Sequence, residues 1–228
     1  IDIAPFLEKA IWNQVVNEAH NTGIRRIYFR NYANLALTPS ALSNVQSVWN
    51  ESLKIKNLNL STRDYTNIAA SLAIKIPNSA DQIIETQLLK IKGPDNKARF
   101  QFIIPALSSD QYIRDNFFST LMKAENRHTE PWVLSALRYL HHPLRIDFSE
   151  GYLKRSLNVL EDIQITGDIF FPGRWLNATF KYYQSDVAIA TVNNFLTKNP
   201  DYNYQLKLKI LQNSDQMKRA NKILKNTT

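Results

Sequence analysis

The stretch "TEPWVLSALRYLHHP", residues 129–143, contains the start, the body and the stop of one helix. Thr129 is a residue type that caps helix N-termini, and Glu130 places an anion near the positive end of the helix dipole. Pro131 suits the first helical position, and Pro143 cannot continue a helix. The stretch therefore predicts a short amphipathic helix delimited by local signals.

Apolar residues recur along this stretch at helical spacing, which predicts one buried stripe. His141 and His142 fall in the last turn, where we expect them to donate to free backbone carbonyls. The stripe is predicted to comprise Trp132, Val133, Ala136, Leu137 and Leu140.

The same start and stop signals recur along the whole chain. Pro5 in a first turn and Gly23 as a stop predict a helix near the beginning, and Thr38 followed by Pro39 begins the next one. Ser61 or Thr62 begins a third. The predicted helices cover residues 3–23, 38–51, 61–76, 79–92, 95–107, 108–126, 131–142, 149–163, 173–183, 185–200, 202–214 and 214–226.

Two of these helices need a closer look at their apolar residues. Residues 100–104 are aromatic and β-branched enough to form a strand, but no partner strand is in sight, so we favour a helix. In residues 108–126 serines are expected to cap the helix. Its predicted buried stripe is Ile113, Phe117, Leu121 and Met122.

Roughly a dozen short helices joined by short connections must pack against their neighbours in the chain. No alternating strand pattern and no Asn-Gly hairpin occurs in the sequence. We therefore expect an all-α fold of antiparallel helical hairpins, stacked as a HEAT- or armadillo-like α-solenoid. Residues 1–228 are expected to form a single helical domain.

The residue types needed for most chemistry are missing. The chain has no cysteine and only five glycines, so thiolate chemistry and glycine-rich phosphate loops are excluded. No two histidines have the one-turn spacing of an H-E-x-x-H zinc helix, and His128 with Glu130 is only half of a deaminase signature. We expect no catalytic residue, no metal ligand and no cofactor in this chain.

The formal net charge is +8, and half of it lies in the last segment. From Asp201 onward six basic residues face two acidic ones, giving +4. A basic terminal helix with solvated lysines is the simplest interpretation, and we expect no nucleic-acid partner. No apolar run approaches the roughly 20 residues that cross a bilayer, so no membrane span is expected.

Two stretches resemble a known family. They are residues 125–145, "ENRHTEPWVLSALRYLHHPLR", and residues 161–224, "EDIQITGDIFFPGRWLNATFKYYQSDVAIATVNNFLTKNPDYNYQLKLKILQNSDQMKRANKIL". In their residues and in the order of their segments, both resemble the C-terminal helical domain of bacterial aminopeptidase N-type zinc metallopeptidases, the gluzincin aminopeptidases. The likeness is clearest over residues 125–225, while the first half agrees in its helical pattern.

This resemblance implies a role without chemistry of its own. In that family an upstream domain carries H-E-x-x-H, a distal glutamate ligand and a G-A-M-E-N type loop, none of which occurs here. The resemblance implies that this chain is the noncatalytic C-terminal part of a larger protein that removes N-terminal residues from peptides. Its expected partners are the upstream catalytic domain of the same chain and the peptide substrate, with zinc only in that upstream domain.

Four basic residues lie in or beside helix-terminal loops of the best-matching segments. We predict that they face the peptide and bind its carboxyl end, as basic side chains do. The four are Arg127, His128, Arg145 and Arg174.

Two other functions are compatible with the sequence. A free-standing HEAT-like scaffold would bind a partner protein in a groove. A basic HEAT-like protein would bind nucleic acid with a steep salt dependence, but half of the excess charge lies in one segment.

Overall fold

A computed structural model describes residues 3–227, apart from the side chain of Thr227. Described residues form α-helices and short 3₁₀ turns and contain no β-strand, so the prediction of an all-α fold is confirmed. Short 3₁₀ turns lie at Pro77–Ser79, Ala124–Asn126 and Pro143–Arg145. The helices of the described part are α1 (Ala4–Val16), α2 (Thr22–Leu35), α3 (Pro39–Trp49), α4 (Thr62–Lys75), α5 (Ala80–Lys90), α6 (Pro94–Leu107), α7 (Gln111–Thr120), α8 (Glu130–Leu140), α9 (Ile146–Ser149), α10 (Tyr152–Asn158), α11 (Leu160–Thr166), α12 (Phe171–Phe180), α13 (Asp186–Lys198) and α14 (Tyr204–Thr227).

Several helix starts were predicted correctly, because caps are local. The Thr38 side chain accepts from the Ala41 N–H at 3.2 Å, with Pro39 at the first position of α3. Ser61 caps α4 and forms a reciprocal capping box with Asp64. Residues 100–104 lie inside α6 and are helical, as favoured from the sequence.

The prediction for residues 3–23 was wrong. Helix α1 ends at Val16, and Gly23 lies in the first turn of α2, whose N-cap Asn21 accepts from the Ile24 N–H at 3.0 Å. Helix α2 was absent from the predicted set. The first buried position of α2 is occupied by Arg25, where an amphipathic helix ordinarily has an apolar residue, so the apolar stripe is not recognisable in the sequence.

Other predictions also differ from the structure. The predicted helix 149–163 is divided, with Ser149 ending α9 and the rest forming α10 and part of α11. In α7 the buried positions are Arg114 and Phe118, one residue out of phase with the predicted Ile113 and Phe117, whereas Leu121, directly after α7, is buried as predicted. Asp110, and not a serine, provides the side-chain cap of α7. Residues 202–214 and 214–226 belong to one continuous helix, α14.

The chain divides into two compact units, Ile1–Gln101 and Phe102–Thr228. Each has its own buried aromatic residues, with Phe29 and Phe100 in the first unit and Phe118 and Trp175 in the second. The boundary falls within α6. A single domain over residues 1–228 stays a prediction.

In the first unit α1 and α2 run antiparallel. The rings of Trp12, in the second half of α1, and Tyr32, in the last turn of α2, lie 4.8 Å apart. Glu8, one turn earlier in α1, accepts hydrogen bonds from the N–H groups of Leu37 and Thr38, which follow the end of α2, at 2.6 and 3.0 Å. Glu8 thereby also stabilises the start of α3.

Helices α2 and α4 of the same unit run parallel. Arg30 in α2 donates to Asp64 in the first turn of α4 at 2.6 Å. One turn further along α2, the carbonyls of Ala33 and Asn34 accept from Lys75, the last residue of α4, at 2.8 and 2.7 Å. The later contact in α2 is also the later one in α4, so the two helices run in the same direction.

In the second unit α8 and α12 also run parallel. Glu130 at the start of α8 accepts from the Asp168 N–H, just before α12, at 2.8 Å. His141, after the end of α8, bonds to Tyr183, after the end of α12, at 2.6 Å.

The last two helices of this unit run antiparallel. Lys225 near the end of α14 pairs with Asp186 at the start of α13 at 2.6 Å. The second unit therefore contains both parallel and antiparallel neighbours.

Replacing Glu8 with alanine should lower the free energy of unfolding by about 2 to 3 kcal/mol, because two backbone N–H groups and the Thr38 hydroxyl lose their acceptor. Glu8 is 5% exposed. The matched control is Glu18→Ala, since Glu18 is exposed and lies 3.9 Å from Lys56; it should cost less than about 0.5 kcal/mol. Urea unfolding measures both, and equal losses would contradict the assigned role of Glu8.

Candidate functional site

Arg127 is a buried structural residue. It is 3% exposed and follows the 3₁₀ turn after α7. Its Nη1 donates to the Leu121 carbonyl at 2.9 Å, and its Nη2 forms an ion pair with Asp162 on α11. The guanidinium group thus links the end of α7 to α11.

Arg145 has a similar role at the end of α6. It is 6% exposed, and its two terminal nitrogens donate to the carbonyls of Ala106, Leu107 and Ser108 at 2.7, 2.8 and 3.0 Å. Burial, helped by the nearby charge of Arg114, lowers the pKa of Arg145 to about 10. It therefore remains a cation at neutral pH, held by carbonyls that α6 leaves free.

The other two predicted residues, His128 and Arg174, are exposed. Arg174 Nη1 lies 3.6 Å from Asp168, and its guanidinium carbon lies 5.5 Å from the centre of the Phe170 ring. A peptide-facing role stays a prediction for all four residues. The guanidinium groups of Arg127 and Arg145 are buried and donate to protein groups, which are carbonyls for Arg145 and the Leu121 carbonyl and Asp162 carboxylate for Arg127.

Further cations bind free carbonyls in the same way. Arg114, 5% exposed, donates to the Ser108 and Ser109 carbonyls at 2.7 and 2.8 Å. Arg25, 1% exposed, donates to the Asn17 carbonyl at 2.7 Å and to the Lys56 carbonyl. Sequence reasoning assigned no role to either residue, because a basic side chain is ordinarily a surface residue.

His141 is the C-cap residue of α8 and its backbone N–H donates to the Leu137 carbonyl, but the expectation that its side chain donates to a free carbonyl was wrong. Its side chain is fully buried, with Nδ1 bonded to the Tyr183 hydroxyl and the Phe118 and Tyr152 rings lying edge-on to the imidazole. No described residue is a hydrogen-bond partner for Nε2. Burial lowers the pKa of His141 to about 3, so the imidazole is neutral.

The remaining predictions for this helix had mixed outcomes. His142 Nδ1 accepts from the Leu144 N–H at 3.2 Å, so His142 does cap, but at the start of the next 3₁₀ turn. Thr129 makes no side-chain cap, contrary to expectation. Trp132 is only half-buried, while the other four predicted stripe residues are buried.

Within residues 3–227, no three or more histidine, aspartate or glutamate side chains lie close enough together to hold a metal ion. None of the helices described is both long and apolar enough to cross a bilayer.

A polar groove lies between the parallel helices α2 and α4 of the first unit. Its volume is about 380 Å³, and Ala33 and Ile68 contribute apolar surface to it. The polar residues that line it are Arg30 and Asn34 of α2, and Arg63, Asp64, Asn67 and Ser71 of α4. Arg30 and Asn34, like Arg63, Asn67 and Ser71, are spaced four residues apart, so each series lies along one face of its helix.

One end of this groove carries an unmatched positive charge. Burial acts to raise the pKa of Asp64, but the hydrogen bonds from Arg30 and Ser61 lower it overall, so Asp64 is an anion paired with Arg30. Arg63 has no such partner. Across the described chain, the side chains of Asn34, Arg63 and Asn67 make no hydrogen bond or ion pair with protein groups.

This groove, which we call the α2–α4 groove, was missed from the sequence. The available signal was the polar series Arg63, Asn67 and Ser71, spaced one turn apart. Its counterpart on α2 was invisible because that helix was not predicted. The direction of the two helices depends on tertiary packing.

No protein-family model matches the chain, and comparison with curated proteins found no match either.

Replacing Arg145 with methionine should lower the free energy of unfolding by about 2 to 4 kcal/mol, because the Ala106 and Leu107 carbonyls lose this donor within a buried site. Arg174→Met removes the same charge from an exposed position and should change it by less than about 0.5 kcal/mol. Chemical denaturation followed by circular dichroism checks the pair. Indistinguishable midpoints would refute the capping role.

The buried His141 predicts an acid-sensitive stability. Because its folded pKa is depressed to about 3 from 6.5, protons bind the unfolded chain more tightly, and stability falls as pH drops below 6.5. Between pH 6.5 and 4.5 this residue should account for about 2 kcal/mol of the loss.

The variant His141→Phe keeps an aromatic ring and should show a loss smaller by that amount in urea titrations at the two pH values. His128→Phe is the control, because His128 is exposed and its replacement should leave the pH dependence unchanged. An unaltered pH dependence in His141→Phe would rule out this origin.

Proposed function

We propose that residues 1–228 are the noncatalytic C-terminal helical domain of a zinc aminopeptidase-type metallopeptidase. In this proposal the chain packs over an upstream catalytic domain. It forms one wall of the chamber that holds the peptide beyond its N-terminal residue. The parent protein removes N-terminal residues from peptides, using zinc held outside this chain.

The observation that carries the proposal is the match between the resembling segments and the helices they form. Residues 125–225 include α8 to α13 and most of α14, and the one gap between the two resembling blocks, residues 146–160, contains α9 and α10. The resemblance therefore follows helix-packing patterns, which suits a structural domain more than a catalytic one.

The proposed arrangement is a stack of antiparallel helical hairpins, that is, an α-solenoid of the HEAT or armadillo kind. In such a stack, helices of the same layer run parallel and successive helices run antiparallel. Within the first unit the parallel pair α2 and α4 and the antiparallel pair α1 and α2 support this arrangement. Within the second unit α8 and α12 provide the parallel pair, and α13 and α14 the antiparallel one.

A free-standing protein-interaction scaffold is the second candidate. Exposed apolar side chains on the first two helices favour it, since Phe6 of α1 is 74% exposed and Ile27 of α2 is 57% exposed. Exposed apolar surface of this kind is typical of protein contacts. The two candidates differ in whether the same polypeptide carries a zinc peptidase domain.

Activity measurements on the complete protein test the proposal. The protein encoded by the whole reading frame should hydrolyse both an aminoacyl p-nitroanilide and an eight-residue peptide, whereas residues 1–228 alone should hydrolyse neither. Deleting residues 1–228 should reduce kcat/KM for the peptide at least about tenfold more than for the anilide, because only the peptide reaches the wall.

Thermal unfolding of the deleted protein is the control for its folding. Turnover by residues 1–228 alone would contradict the proposal. A complete protein without aminopeptidase activity would favour the scaffold.

A further inference from the structure

We propose that the α2–α4 groove binds an extended acidic peptide, with arginine at one end taking an Asp or Glu side chain and asparagine further along taking the peptide backbone. This inference adds to the proposed function a specific place where the chain binds peptide. It rests on the proposed function, because that function is the reason for choosing a peptide as the ligand.

The spacing of the groove residues fits an extended chain. Positions four apart on a helix are separated by about 6 Å along its axis. In an extended peptide, residues that point to the same side recur at about 6.7 Å. Arg63, Asn67 and Ser71 on one wall, and Arg30 and Asn34 on the other, can therefore meet every second residue of a bound peptide.

The chemistry of the two asparagines fits a peptide backbone. A primary amide offers one acceptor oxygen and two donor hydrogens, which match the N–H and C=O groups of a peptide unit. Asn34 and Asn67 lie on opposite walls of the groove, and their side chains have no protein partner within residues 3–227. They are therefore available to a ligand without breaking an existing hydrogen bond.

The positive charge selects the acidic side chain and its place. Arg63 has no protein partner among the described residues, and Arg30 uses only Nε to hold Asp64, which leaves its terminal nitrogens open. A guanidinium group binds a carboxylate through two parallel hydrogen bonds. Each arginine lies one turn before the asparagine of its helix. The acidic residue of the bound peptide should therefore lie at the arginine end of the groove.

A nucleic acid fits this groove less well. A phosphate backbone needs positive charge repeated along its length. Beyond the two arginines the lining supplies no further positive charge, since Asp64 is an anion paired with Arg30 and the other polar residues are uncharged. Lys75, at the far end of α2 and α4, donates to the carbonyls of Ala33 and Asn34 and does not line the groove.

The test is a nuclear magnetic resonance titration of the ¹⁵N-labelled 228-residue chain. The probe is a hexapeptide of alanine and serine with one glutamate, acetylated and amidated so that its ends carry no charge. A second peptide has glutamine in place of the glutamate. The glutamate peptide should give saturable shifts of backbone amides in α2 and α4, with a Kd about tenfold below that of the glutamine peptide.

Three variants test the assignment of residues. Arg63→Gln should weaken the glutamate peptide about tenfold and leave less than a threefold difference between the two peptides, because the charge partner is gone. Asn67→Ala should weaken both peptides to the same degree, about threefold. Arg138→Gln is the control, because Arg138 is exposed on α8 and outside the groove; it should change nothing.

Competing ligands decide the class of ligand. Inorganic phosphate or a ten-residue deoxythymidine oligonucleotide that bound the same amides more tightly than the glutamate peptide would overturn the proposal. So would saturable shifts elsewhere, no saturable shifts, or an equal preference for glutamate in Arg63→Gln. Binding is measured without catalysis, so failure here and failure of the aminopeptidase assignment are distinguishable.

Discussion

The backbone carbonyls at the ends of short helices are the constraint on which this structure depends. Every helix leaves its last carbonyls without an internal partner, and in a buried position each must find a donor. Glycine in the left-handed conformation is the common solution, but among the five glycines only Gly93 has a positive φ, of 88°. Buried arginines supply the donors instead, and Arg145 satisfies three carbonyls at the end of α6.

Because several arginines are buried, the net charge of the chain is a poor guide to the positive charge on its surface. A buried guanidinium group loses its hydration, and several carbonyl bonds are needed to offset that cost. Arg25, Arg114, Arg127 and Arg145 are all at most 6% exposed, so four of the 28 basic residues offer little charge to a partner. The charge of +8 therefore overstates the surface that attracts a polyanion. The α2–α4 groove differs because Arg63 on its wall has no hydrogen-bond or ion-pair partner among residues 3–227.

The same arginines explain what could and could not be predicted from the sequence. The starts of α3 and α4 were predictable because Thr38 and Ser61 act within one turn of the chain. Helix α2 was missed and α7 was predicted out of phase because Arg25 and Arg114 occupy positions that the apolar pattern reserves for hydrophobic residues. Whether an arginine points inward depends on carbonyls brought near it by tertiary packing, and the sequence pattern does not contain that information. The α2–α4 groove was unpredictable for the same reason, since it needs two helices side by side and running in one direction.

The central claim is that this chain shapes a peptide-binding wall while the reacting groups lie elsewhere in the same polypeptide. Native mass spectrometry of the protein captured from its source, with an antibody against residues 1–228, tests this claim most directly. The account predicts a polypeptide much heavier than the 26.4 kDa of this chain, carrying one zinc ion. A zinc-free protein of 26.4 kDa would contradict it.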